Sequence, residues 1–177
     1  MANNIIAYLG IGSNIDDRMS FIVKARDLLN KNPHIEITKE SKIYETEPWP
    51  RDVLLNEHPN EEKGQKWYLN QVVRIETSLQ PQQLMETGWE VEKKIGRNKR
   101  EHWGDREIDV DVLLYEGQII DTPNLQLPHR HMMDRQFVLV PLVEIAHDLV
   151  DPITGHKFRN ILEKVKEIDD HKVTPFL

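Results

Sequence analysis

The chain of 177 residues predicts an α+β fold, a ferredoxin-like βαββαβ sandwich with a C-terminal helical extension. Three observations lead there. Apolar residues alternate in several short runs, others recur at helical spacing, and proline or glycine marks where the helices start and stop.

Residues 4–11 (NIIAYLGI) read as a short buried strand, with Gly10, Gly12, Ser13 and Asn14 forming the turn after it. Asp16 or Asp17 can cap a helix running to about 31. Its Phe21, Ile22, Ala25, Leu28 and Leu29 fall on one face, and Asn32-Pro33 ends it. Residues 35–46 alternate as a strand that Pro48 stops. Residues 47–66 are polar and proline-containing, a loop long enough to be functional or mobile. A strand follows at 67–77, then a helix at 81–95 with Pro81 in its first turn. Leu84, Gly88, Val91 and Ile95 share a face of that helix, and Gly96 terminates it. Residues 108–115 form the next strand, and 118–121 are expected to pair with it through a Glu116-Gly117 turn. Residues 135–146 should be helical despite Pro141, as should 157–168 with Ile161, Leu162, Val165 and Ile168. The expected architecture is an antiparallel-rich sheet with helices on one face, in a single domain spanning 1–177.

Composition narrows the classes. Hydrophobic residues make up 38% and charged ones 30%, the balance of a soluble globular protein. No apolar run approaches the roughly 20 residues of a membrane span, and MANNIIAYLG lacks the features of a signal peptide. With no cysteine, disulfides and thiolate metal sites are excluded; a reducing, cytoplasmic compartment is expected. The net charge of −7 makes nucleic acid a poor partner. Basic residues nevertheless gather at 97–106.

They precede the segment HWGDREIDVDVLLYEG, residues 102–117. On a strand, i and i+2 point the same way, so Asp109 and Asp111 share one face. Ile108, Val110, Val112 and Leu114 would share the other, toward the core. Two carboxylates about 7 Å apart repel by roughly 2–2.5 kcal/mol at an effective dielectric of about 20. A hard cation removes that cost, and Mg²⁺ is held by one or two carboxylates together with phosphate and water. Arg97, Lys99, Arg100 and Arg106 flank the pair, and arginine forks match phosphate oxygens. The simpler alternatives are a solvated strand face and an Arg106 that only neutralises Asp109 or Glu107. Trp103, beside Gly104, could cover a flat ligand or anchor its loop. His129, after Pro128, and Arg135 suit an anion site, although a lone histidine is more often structural or merely exposed. Tyr68 and Asn70 alternate onto one side of their strand, where a ring and an amide could read a heterocycle; ordinary strand positions would look the same. The P-loop pattern is absent and GxGxxG is incomplete, so any nucleotide binds by another architecture. An RNA-binding module on the same plan would need a basic aromatic sheet face. A two-metal hydrolase would want a third carboxylate motif, and none is obvious.

Taken together, AYLGIGSNI, IYETEP, YLNQVVRIET, RxxxxxWGxRxIDVDVLLY and LPHxxMxxRxFVLVPL, in that order, make the chain resemble the 6-hydroxymethyl-7,8-dihydropterin pyrophosphokinases of folate biosynthesis. The resemblance covers roughly residues 5–150. It implies the ferredoxin-like fold and transfer of pyrophosphate from ATP to the pterin hydroxymethyl group, releasing AMP. It implies that Asp109 and Asp111 hold two Mg²⁺ ions. Arg97 and Arg106 would belong to a lid over ATP and act with the two aspartates in catalysis. ATP would also meet Glu92, Trp103, Val112, His129 and Arg135. The pterin pocket would comprise Thr46, Pro48, Tyr68, Asn70, Trp103 and Phe137. ATP and 6-hydroxymethyl-7,8-dihydropterin are thus the expected partners, with no nucleic acid, no membrane and a monomeric state.

The segment departs from the family's RWGPR, which reads HWGDR here. His102 stands in place of an arginine and would be mostly neutral at pH 7 from its ordinary pKa near 6.5. Asp105 adds a negative charge beside the phosphate clamp. Lid closure should therefore be weaker or more pH-dependent. The His102→Arg substitution should tighten ATP binding, measurable by calorimetry; unchanged affinity and rate would reject the idea.

Overall fold

The computed structural model describes residues 4–48, 66–97 and 106–176. Trp103 and its neighbours Lys99, Arg100, His102, Gly104 and Asp105 lie outside the described residues, as does 49–65 of the long loop.

Strand β1, Ile5–Ser13, lies between two antiparallel partners. On one side is β5 (Asp109–Tyr115), on the other β4 (Tyr68–Thr77). The far edge of β4 pairs with β2 (Ile35–Glu40) and then β3 (Tyr44–Thr46). Beyond β3 lies β8, Val173–Pro175. Two short strands, β6 (Ile120–Asp121) and β7 (Gln126–Leu127), form a separate pair. Among the described residues four α-helices complete the α+β fold: α1 (Arg18–Asn30), α2 (Pro81–Ile95), α3 (Gln136–Ile145) and α4 (Phe158–Ile168).

Helix α1 begins where the Asp17 carboxylate accepts from the Ser20 N–H at 3.1 Å, a cap typically contributing about 1 kcal/mol. Its buried Ile22, Ala25 and Leu29 follow the expected stripe. Helix α2 has the expected bounds, and Gly96 ends it at φ 108°, a left-handed conformation that favours glycine. The helix expected around Pro141 also forms; its mostly apolar surface is buried.

The helices do not lie on one face. Ala7, Leu9 and Ile11 of β1 pack with α1 and α2 on one side of the sheet. Tyr8, Val72 and Leu113 pack on the other with Val138, Leu139 and Leu142 of α3 and Phe158 and Leu162 of α4. The extension supplies this second layer, because both faces of the central strands carry apolar residues that need cover.

Four further expectations are corrected. Strand β1 does not turn at Gly10 but continues, paired on both sides through Gly12 and with β4 at Ser13. The run 35–46 splits into β2 and β3: at Ser41 the hydroxyl accepts from the Val72 N–H at 3.0 Å. Residues 120–121 pair with β7 rather than β5, an arrangement that buries Leu125 and Leu127 in the core. Leu114 does not share the core face of Val110 and Val112. The register slips so that Tyr8 opposes Leu114 while Leu9 opposes Val112, a bulge at Leu113 that reverses the alternation. Leu114 therefore joins the second cluster and Tyr115 the first.

Helix α2 crosses β5 closely because Gly88 has no side chain. A Cβ there would lie 2.9 Å from the Val110 carbonyl oxygen. Gly88→Ala should destabilise the fold by about 1–3 kcal/mol, the usual range for overpacking, visible as a lower Tm in thermal unfolding.

Candidate active site

The register places Asp109 opposite Gly12 and Asp111 opposite Gly10. One strand further, Gly12 opposes Asn70 and Gly10 opposes Val72. Two glycines at alternate positions leave the middle of this face without side chains. The result is an open cleft. Its floor is Gly10, Gly12 and Leu113; Asp109, Asp111, Arg106 and Arg135 line one end, and Thr46, Tyr68, Asn70 and Phe137 the other. Asp109 and Asp111 thus share one face and open onto one cavity.

Asp109 is gripped from both sides. Arg97 Nη1 donates to its Oδ1 at 2.7 Å and Arg106 Nη1 to its Oδ2 at 2.5 Å. Arg97 also pairs with Glu92, which is only 5% exposed. The other carboxylate oxygen of Glu92 accepts from the Val110 N–H at 2.8 Å. Glu92 therefore fixes the backbone between the two aspartates from the helix side of the sheet. Arg106 is itself fixed by Asn14, whose Oδ1 accepts from the Arg106 N–H at 2.8 Å.

Negative charge is crowded here. Burial, then the neighbouring Asp109 and Glu92, push the Asp111 carboxyl up to about 7. Burial and Asp109 raise Glu92 to about 7 as well, against the Val110 and Arg97 hydrogen bonds that oppose the shift. Arg135, its pKa lowered by burial, lies within electrostatic reach of Asp111 and Asp109. Its guanidinium also sits 5.6 Å from the centre of the Phe137 ring, linking the two ends of the cleft.

At the other end, Asn70 Nδ2 donates to Thr46 Oγ1 at 2.7 Å. The Asn70 amide lies over Gly12, where a Cβ would come within 2.7 Å of Asn70 Oδ1. Thr46 and Asn70 are 1% and 9% exposed, so each is held in place before a ligand arrives.

Eight residues singled out from the sequence meet at this cleft: Thr46, Tyr68, Asn70, Arg106, Asp109, Asp111, Arg135 and Phe137. Glu92 and Arg97 stand behind it and hold Asp109 and its strand, while Val112 packs in the core. Pro48 does not line it; its carbonyl accepts from His171 Nε2 at 2.8 Å. His129 is set back too. Burial and the positive Arg135 lower its pKa to about 4, so at pH 7 it is a neutral hydrogen-bonding group. Its Nδ1 is buried, with no hydrogen-bond partner among the described residues. Gly10, Gly12, Glu47, Gln71 and Leu113 line the cleft without having been singled out for it. The glycine pair carried a signal, two glycines two apart in an apolar run, but resembled a turn.

The donor set fits a hard divalent cation: two half-buried carboxylates on one face, all-oxygen, with room for phosphate and water. Among the described residues no cluster of three or more His, Asp or Glu side chains forms a complete metal cage. Two carboxylates completed by a ligand's phosphates match the usual coordination of Mg²⁺.

A carboxyl whose folded pKa lies above its unfolded value adds stability below the unfolded pKa and loses it as pH rises through the folded one. For Asp111 that window runs from 3.8 to about 7. Asp111→Asn should therefore raise the Tm of the ligand-free protein clearly more near pH 8 than near pH 5. A difference in Tm from the wild type that stays constant across this range would contradict the assignment.

Comparison with known proteins agrees with the geometry. The family model described as 7,8-dihydro-6-hydroxymethylpterin-pyrophosphokinase (HPPK) matches residues 8–147. The 2-amino-4-hydroxy-6-hydroxymethyldihydropteridine pyrophosphokinase of Methylorubrum extorquens is 42% identical over 159 residues, covering 90% of this chain and 92% of that protein. The protein of the same name from Aquifex aeolicus is 38% identical over 169 residues, covering 96% and 94%. Among solved structures, an HPPK-DHPS in complex with substrates superposes with a TM-score of 0.70 at 15% identity, a likeness of fold. The chain covers 94% of its own length in that match and 44% of the solved chain, so it spans less than half of that larger protein. Among the described residues no helix is long and apolar enough to cross a membrane. With 140 of its residues matched by the family model, from 8 to 147, the chain belongs to the 7,8-dihydro-6-hydroxymethylpterin-pyrophosphokinase family, which transfers pyrophosphate from ATP to hydroxymethyldihydropterin in folate synthesis.

Proposed function

We propose that residues 1–177 form one ferredoxin-like pyrophosphokinase domain whose cleft carries ATP at its acidic end and 6-hydroxymethyl-7,8-dihydropterin at its amide end. The strand order β5-β1-β4-β2, all antiparallel, supports the fold plan. The observation that carries the functional reading is the placement of Asp109 and Asp111 on one face, opposite a glycine floor that leads to Asn70 and Thr46.

Asp109 and Asp111 would hold Mg²⁺, two ions on this reading. The bound metal supplies charge neutralisation for the triphosphate and fixes its orientation. Arg97 and Arg106 neutralise Asp109 in the ligand-free protein. When phosphate enters, their forks have a second anionic partner in bidentate geometry. Arg135 faces the same space from the α3 side. His129, neutral, is suited to a hydrogen bond and not to a charge pair. Glu92 acts through the backbone of Val110, keeping the two aspartates in register.

At the other end, the Asn70 amide and the backbone beside Thr46 present donors and acceptors to a heterocycle edge. The Phe137 ring offers a face to stack on. Trp103, outside the described residues, is proposed to cover the opposite face. The reaction joins the pterin hydroxyl oxygen to the β-phosphorus of ATP and breaks the bond between that phosphorus and the oxygen bridging it to the α-phosphorus, which leaves with AMP. The hydroxyl proton departs to solvent or phosphate. Such transfer depends mainly on positioning and charge stabilisation, and both are built into this face.

Incubation with ATP, Mg²⁺ and 6-hydroxymethyl-7,8-dihydropterin should yield AMP and the pterin diphosphate in equal amounts. Asp109→Asn or Asp111→Asn should lower the rate about 10³-fold or more, as expected for losing a metal-triphosphate clamp. AMP released at the same rate without pterin would identify a hydrolase instead, and turnover intact in the double variant would reject the site.

A further inference from the structure

The C-terminal segment after α4 touches both walls of the cleft's pterin end. Strand β8 pairs with β3, setting Val173 opposite Thr46 and Thr174 opposite Glu45. The Glu47 N–H donates to the Lys172 carbonyl, and the Lys172 N–H to a Glu47 carboxylate oxygen, each at 3.3 Å. The His171 ring then spans two anchors. Its Nδ1 lies 3.0 Å from Asp169 Oδ1 and its Nε2 2.8 Å from the Pro48 carbonyl oxygen. The His171 side chain is only 6% exposed. From the opposite wall, Gln136 Nε2 donates to the Asp169 carbonyl at 2.5 Å. Gln136 is buried and directly precedes Phe137, the ring on that wall.

We propose that residues 169–175 act as a strap that fixes the spacing between the Thr46–Glu47 wall, held through the adjoining Pro48 carbonyl, and the Phe137 wall, with His171 and Gln136 as positioning residues for the heterocyclic substrate. This rests on the reading that the Thr46, Asn70 and Phe137 end of the cleft takes the pterin. A planar ring system held between a stacking face and an edge-reading wall needs that separation set to within a fraction of an ångström. Among the described residues, strand β3, three residues long, would otherwise have β4 as its sole strand partner. The aspartates sit on β5 at the far side of the sheet, beyond β1 and β4. Loosening the strap should therefore separate the two substrates.

In the full-length protein, His171→Ala and Gln136→Leu should each raise KM for the pterin about tenfold. KM for ATP should stay within about twofold and kcat change little. His171→Gln, which keeps a donor that can reach the Pro48 carbonyl, should recover part of the loss. Asn70→Ala serves as the control for the substrate reading. If Asn70→Ala raises the pterin KM and both strap variants leave it unchanged, the strap is overturned while the site stands. If none of the three moves it, the pterin assignment falls and the strap with it. Equal rises in both KM values, or a fall only in active fraction that tracks Tm, would show a merely structural segment and also overturn the proposal.

Discussion

The structure depends on one electrostatic constraint: two carboxylates held on the same face of a strand in a partly dehydrated cleft. Left alone they repel, and burial makes each charge more costly. The fold offsets this with Arg97 and Arg106 on Asp109 and with Arg135 facing Asp111. The same balance explains why Asp111 and Glu92 are pushed up to about 7. On the proposed reading, such a face suits a ligand that brings its own cations together with anionic oxygens, since that exchange satisfies acids and arginines at once.

Packing holds the acids where they are. Gly88 lets α2 approach the Val110 carbonyl, while Glu92 of the same helix takes the Val110 N–H. The peptide groups around Val110, between the two aspartates, are thus gripped from the helix layer. On the other face the glycines of β1 keep the floor low, and α3 and α4 cover the rest of the sheet beside it. One layer fixes the charges, and the other, with the sheet, shapes the space. On the proposed reading this separates the metal-triphosphate end from the heterocycle end across three neighbouring strands.

Much of this was legible in the residues. Period-two alternation put Asp109 and Asp111 on one face without any structure, and Pro81 and Gly96 marked both ends of α2. Asn70 and Tyr68 could be placed together by the same alternation. What failed depended on long-range pairing. Gly10 and Gly12 looked like a turn because glycine is common in turns; only β4 and β5 on either side show that they continue a strand. The bulge that moves Leu114 to the second cluster comes from register, which local alternation cannot reveal. The second helical layer was missed because Tyr8, Val72 and Leu113 were not recognised as a second apolar face. Strand β8 has too short an apolar pattern to be found before β3 is in place. Glu92 and Asn14, each acting on a backbone N–H from a distance in sequence, carried no local signal for that role.

The most direct test is electron paramagnetic resonance of bound Mn²⁺ with a non-hydrolysable ATP analogue, comparing the wild type with Asp109→Asn and Asp111→Asn. The account predicts a magnetically coupled pair of ions in the wild type that either substitution reduces or abolishes, while Glu47→Gln, at the other end of the cleft, leaves it intact. An identical signal in all four proteins would contradict it.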